Sequence, residues 1–258
     1  MKTFKFTLMM LFSAVAINAM AWNAEVNKAI LMFAEQNLSN KTKKRVESIL
    51  DKPLGAVVFA NKGRNKTRLN EAGKSVTTDE NDAVVQLEKA LSTFDNTNAS
   101  MAEWKAALLE VIELTVDIHC PSNILIDGKL EGDFTFGRDN GRPKNSRWFK
   151  VQDRKWCAMW HSQYHKDHGA FSAEMYVYDW QIATKGLAKQ YKKAEVAPRK
   201  WAEQTGARVS ESMKIFYPGA VVNMLEITKQ EPVNDAAMYD AAFRLALVLN
   251  KKIGRAHV

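Results

Sequence analysis

Cysteine is scarce. Cys120 and Cys157 are the two in a chain of 258 residues, so one disulfide at most is available and a cysteine framework does not hold the fold. Past the first 21 residues no stretch has the roughly 18 uninterrupted apolar residues of a membrane span. The chain has no glycine-rich phosphate loop, no G-x-S-x-G elbow and no Ser/His/Asp set, which leaves acyl-transfer chemistry without support. Internal repeats and low-complexity tracts are also missing, and histidine numbers five.

What is present begins with a leader. Lys2 and Lys5 precede an apolar run that ends in Ala19-Met20-Ala21, the small-x-small pattern of a secretory signal peptide. Cleavage after Ala21 is expected, giving a secreted or periplasmic protein that starts at Trp22. Removing residues 1–21 lowers the formal charge from +8 to +6, with 35 basic against 29 acidic residues. A basic excess favours anionic partners such as nucleic acid. The remaining 237 residues, 22–258, suffice for one core in one domain, and a monomer is expected.

The longest apolar-periodic run is Ser100 to Pro121. Ser100 with Glu103 forms a capping box, Leu108, Leu109, Ile112, Val116 and His119 recur at helical spacing, and Pro121 ends the helix. Glu113 and Asp117 lie four apart on one face. Two readings stand for them: the solvated edge of an amphipathic helix, or a metal or catalytic site.

Before this run, helices are expected over Trp22–Leu38, around Val46–Leu50 and over Asn81–Phe94, with a short helical turn in Leu54–Ala60 and a surface loop over Asn61–Thr78. After it, residues 122–153 carry glycines and the alternation Asp133-Phe134-Thr135-Phe136, which predicts a hairpin or irregular excursion. Helical patterns follow at Lys155–His168, Phe171–Tyr191, Pro198–Tyr217 and Asn234–Lys251. About eight helices and one short hairpin make an all-α fold. Trp104, Trp180 and Trp201 fall within helical patterns and read as core. His161, His165 and His168 share a helical face with Cys157, either as a wet helix end or, for Cys157 and His161, as a zinc site.

Trp22 at the mature N-terminus, Asp117-Ile118-His119-Cys120-Pro121 ending the central helix, and Tyr239-Asp240-Ala241-Ala242-Phe243-Arg244-Leu245-Ala246 in the last helix resemble the S1/P1 nuclease family. Its members are zinc-dependent, single-strand-preferring nucleases that share an all-α fold with zinc phospholipase C. Phe59 to Arg64 is similar to the family segment W-A-D-x-x-R, and Cys157 to His161 to H-x-x-W-D. The resemblance covers nearly the whole mature chain.

The resemblance implies a trinuclear zinc site in which metal activates water and neutralises phosphate. It places metal ligands at Trp22, Glu113, Asp117, Cys157 and His161, catalytic positions at Asp117 and Asn61, and a phosphate contact at Arg64. Three ligand positions hold neutral asparagine instead: Asn27, Asn61 and Asn123. An asparagine carbonyl lacks the charge of carboxylate and the basicity of imidazole, which makes it a poor zinc donor. The expectation is a pseudoenzyme that binds an anionic ligand such as single-stranded nucleic acid, with zinc as the one cofactor considered. The alternative is an active phosphodiesterase with fewer metals. Cys120 and Cys157 fall on segments that converge in the family, so a disulfide between them competes with Cys157 as a zinc thiolate.

Overall fold

Helix formation starts at Asn23, whose side chain accepts the Val26 amide at 2.9 Å and caps α1, Ala24–Gln36. The structure, a computed structural model, describes residues 22–59, 66–127, 134–137, 151–154, 171–215, 217, 221–222, 225–226 and 229–254. Ser39 caps α2, Asn40–Leu50, by accepting the Thr42 amide at 3.1 Å, and the helix closes at Asp51 in the left-handed region with φ 58°. A single 3-10 turn, Leu54–Ala56, follows. Asp82 does two jobs: its Oδ1 accepts the Val84 amide to cap α3, Ala83–Thr93, and its Oδ2 accepts the Arg68 amide at 2.7 Å.

Helix α4, Met101–Asp117, opens with the expected capping box. Ser100 Oγ accepts the Glu103 amide at 3.3 Å, and the Glu103 carboxylate accepts the Ser100 amide at 2.7 Å. A 3-10 turn at Pro121–Asn123 then leads into a short strand. Beyond it come α5 (Ala173–Ala183), α6 (Ala188–Lys193), α7 (Pro198–Ser212) and α8 (Glu231–Lys252). Among the described residues the chain is mostly helical.

Among the described residues five short strands interrupt the helices. β1 (Thr67–Leu69) pairs in parallel with β2 (Ile124–Ile126), Thr67 opposite Ile124 and Leu69 opposite Ile126. β3 (Phe134–Gly137) pairs antiparallel with β4 (Val151–Arg154) and in parallel with β5 (Val221–Val222). The antiparallel pairing agrees with the hairpin alternative of the hairpin or irregular excursion expected over 122–153, with β4 running one residue further to Arg154.

The core gathers on α8. It touches α1, α2, α4 and α6, and from Ala241 to Leu249 every residue is buried, as a helix packed on all sides requires. Phe33 of α1 meets Phe243 edge to face at 5.2 Å and Trp180 of α5 at 6.0 Å. Helix α7 closes on the β1–β2 ladder through Gly206, where a Cβ would collide with Leu69. Among the described residues no helix is long and apolar enough to cross a membrane.

Several expectations need correction. Residues 66–78 are not all surface loop, because Thr67 and Leu69 are fully buried in β1. The helix expected over 171–191 is split: Thr184 returns its hydroxyl to the Trp180 carbonyl, and Gly186, at φ 90°, turns the chain before α6 begins. Helix α7 stops at Ser212 rather than Tyr217, and α8 starts at Glu231 with proline in its first turn, three residues earlier than expected. Leu109 is 38 % exposed and off the inner face of α4, while Trp104, Trp180 and Trp201 are core. The segment 155–168 lies outside the described residues, as does the leader 1–21.

Candidate functional site

Four of the positions singled out by the resemblance form two hydrogen-bonded pairs. Trp22 is buried at the entry to α1, and its indole N–H donates to Asn234 Oδ1 at 3.3 Å at the start of α8. Its backbone carbonyl accepts the side-chain N–H of Asn27 at 3.2 Å. The second pair sits where α4 gives way to its 3-10 turn. Asn123 donates its side-chain N–H to Asp117 Oδ1 at 3.2 Å and, at 3.4 Å, to the Asp117 backbone carbonyl. Asp117 is 5 % exposed, so the solvated-edge reading fails for it, whereas Glu113 one turn earlier is half-buried. Asn27 Oδ1 and Asn123 Oδ1 are both buried without a hydrogen-bond partner.

These contacts fit zinc poorly. An amide N–H aimed at a carbonyl or carboxylate oxygen carries partial positive charge towards the atom that a cation would have to contact, and it occupies a lone pair there. The amide orientation is fixed chemically, since both partner atoms are acceptors only. Among the described residues no group of three or more His, Cys, Asp or Glu is arranged to hold a metal. Asn61, Arg64, Cys157 and His161 lie outside the described residues, and with them the Cys120–Cys157 bridge. Cys120 itself is fully buried, its Sγ 3.2 Å from Ser122 Oγ.

His119, two residues after Asp117, belongs to a different network. Its Nδ1–H donates to the Thr115 carbonyl at 2.6 Å, which leaves Nε2 to accept from Arg244 Nη1 at 2.8 Å. Burial, then the Arg244 charge, push its pKa down to about 3, so the ring is neutral. Arg244, itself 8 % exposed, also donates to Gln204 Oε1 and lies over the Trp201 ring at 5.6 Å. Asp240, one turn earlier on α8 and 4 % exposed, accepts Arg208 Nη2 at 2.5 Å on one oxygen and the Tyr191 hydroxyl on the other. Burial pushes the Asp240 carboxyl up, but the Arg244 and Arg208 charges together hold it below its ordinary value. Burial and the Asp240 charge push the Tyr191 hydroxyl up. The network forms one wall of a cleft of about 510 Å³ between α6, α7 and α8.

Sequence reasoning missed this network. His119 and Arg244 are 125 residues apart, and no local pattern links them. One signal was available: Asp240 and Arg244, four apart, are the charged residues in the otherwise apolar stretch from Ala236 to Leu249 of α8. Compared with models of known protein families and with curated protein sequences, the chain matches none.

Proposed function

We propose that this chain is an exported, non-catalytic or weakly active protein of S1/P1 nuclease ancestry that binds an anionic ligand such as single-stranded nucleic acid. The observation that carries the reading is the pair of asparagine amides at ligand positions. Asn27 and Asn123 each direct an N–H at an oxygen of a retained family residue, Trp22 and Asp117. Those oxygens are thereby satisfied without a cation. The helical architecture, the order of its motifs and the closeness of Trp22 to the last helix through Asn234 support the ancestry. The basic charge supports an anionic partner.

Loss of ligands lowers metal affinity and water activation together, because both depend on the same donors. The purified exported protein, assayed on single-stranded DNA and RNA with added zinc, should therefore hydrolyse both at most slowly, far below the rate of an intact trinuclear nuclease assayed beside it. Robust activity that a chelator abolishes would overturn this reading in favour of a working phosphodiesterase with fewer metals.

A further inference from the structure

We infer that the outward face of α5 is a docking surface for an anionic lipid bilayer. Helix α5 is apolar on two opposite sides. Tyr176, Val177 and Trp180 are buried on the inner side, where the helix packs on α1. Met175, Tyr178 and Ile182, spaced by three and four residues, form a second stripe and are 49 %, 64 % and 61 % exposed. The outer face of a solvated helix carries polar residues, and a contiguous apolar stripe left in water marks a surface with a partner.

The charges beside the stripe fix the chemistry of that partner. From Trp180 to Ala194 the chain has no acidic residue and four lysines, Lys185, Lys189, Lys192 and Lys193, all exposed and without an ion pair among the described residues. The fold sets them at the C-terminal end of the stripe. The Lys185 amide donates to the Ile182 carbonyl at 3.4 Å, and Gln181 donates to Gln36 at 2.7 Å at the end of α1. The next residue, Asn37, shares a hollow with Lys192 and Lys251. Lys251 Nζ donates to the Ala194 carbonyl at 2.6 Å and adds its charge to the group. At the other end of the stripe Glu174 is engaged by Lys28 at 3.0 Å, which leaves Asp179 and Glu195 against five lysines.

An interfacial helix lays large apolar side chains at the boundary of headgroups and acyl chains, while cations beside it meet anionic headgroups within a Debye length, about 8 Å in physiological salt. A bilayer presents its charge as a surface, so the lysines need no fixed side-chain geometry to be attracted. Two other occupants fit less well. A two-fold dimer through α5 would gather the lysines of both copies in one interface, and three side chains from each fall short of the roughly 1,000 Å² that a stable interface buries. Nucleic acid would meet the lysines and stack on Tyr178, but it has no use for Met175 and Ile182. None of the family's ligand positions lies on α5 or α6, so the inference is independent of the nuclease ancestry.

Co-sedimentation of the full mature chain, residues 22–258, with large unilamellar vesicles tests this, the apolar leader being absent so that it does not bind in place of α5. Vesicles of phosphatidylglycerol and phosphatidylcholine in equal parts should bind the protein saturably, pure phosphatidylcholine vesicles should bind it far less, and added salt should weaken the binding. Ile182→Asp should lower the affinity about tenfold or more, as withdrawal of one large apolar side chain from lipid implies. Val76→Asp, at a residue 65 % exposed outside α5 and α6, is the control for an added surface acid and should bind as the parent does. Both positions are exposed, so both variants should keep the parent's circular dichroism. No binding to the phosphatidylglycerol vesicles, equal binding of the two lipid compositions, unchanged binding by Ile182→Asp, or an equal loss in Val76→Asp overturns the inference. A dimer in sedimentation equilibrium that Ile182→Asp abolishes would give the stripe to a second copy and overturn it as well.

Discussion

Nε2 of His119 accepts a hydrogen bond from Nη1 of Arg244 at 2.8 Å, joining the end of the central helix to the middle of the last one. Because Nδ1 is engaged with the Thr115 carbonyl, protonating the ring would set a second cation against a buried guanidinium. The contact therefore exists with a neutral imidazole.

A pH dependence follows. In the unfolded chain His119 titrates near the ordinary histidine value of about 6.5, while in the fold burial, then the Arg244 charge, hold its pKa at about 3. Between those values the unfolded state binds a proton that the folded state refuses, so stability falls as pH falls through that window, by roughly 1.4 kcal/mol per unit for this group. Urea unfolding at pH 7, 5.5 and 4.5 should show the slope, and His119→Gln should flatten it while lowering stability at pH 7. An equally steep slope in the variant would assign the dependence to other groups.

Asp240 is held by two guanidinium groups and a tyrosine hydroxyl, with 4 % of the residue exposed. Asp240→Asn should leave Arg208 and Arg244 facing each other without their shared anion. Breaking a buried pair from one side costs about 3–5 kcal/mol. A denaturant midpoint within experimental error of the parent protein would contradict the network.

Asn123→Asp tests the other cluster. A second carboxylate set 3.2 Å from Asp117 Oδ1 replaces a donor with a like charge. The pair then favours a shared proton, which raises a folded-state pKa. A raised carboxyl pKa gives stability present at low pH and lost as pH rises through the carboxylate range. The deficit of the variant should thus grow from pH 4 to pH 7, reaching at least about 2 kcal/mol from the lost charged hydrogen bond alone. Thermal melts across that range would show it, and a deficit independent of pH would mean that the two side chains do not face each other.

Much of the helical architecture was legible because caps and periodicity are local. Ser100 with Glu103 and the apolar spacing of Leu108, Ile112 and Val116 define α4 within its own sequence. β1 was not legible, since three residues give one alternation, buried–exposed–buried, and its partner β2 lies 57 positions away. Gly186 was visible as a glycine, but its left-handed conformation belongs to the turn between α5, which packs on α1, and α6, which packs on the last helix. At the site, residue types at Asn27 and Asn123 were readable as departures from a family pattern. The direction in which their amides point was not, because it depends on which oxygens folding brings opposite them. The His119–Arg244 contact belongs to tertiary structure alone.

The most direct measurement on the central claim is the metal content of the protein, determined by mass spectrometry on material purified without chelator. The asparagine amides at Asn27 and Asn123 already bond the Trp22 carbonyl and one carboxylate oxygen of Asp117, so zinc well below one equivalent per chain is predicted. Stoichiometric zinc, two or three ions per chain as in an intact trinuclear centre, would contradict the account.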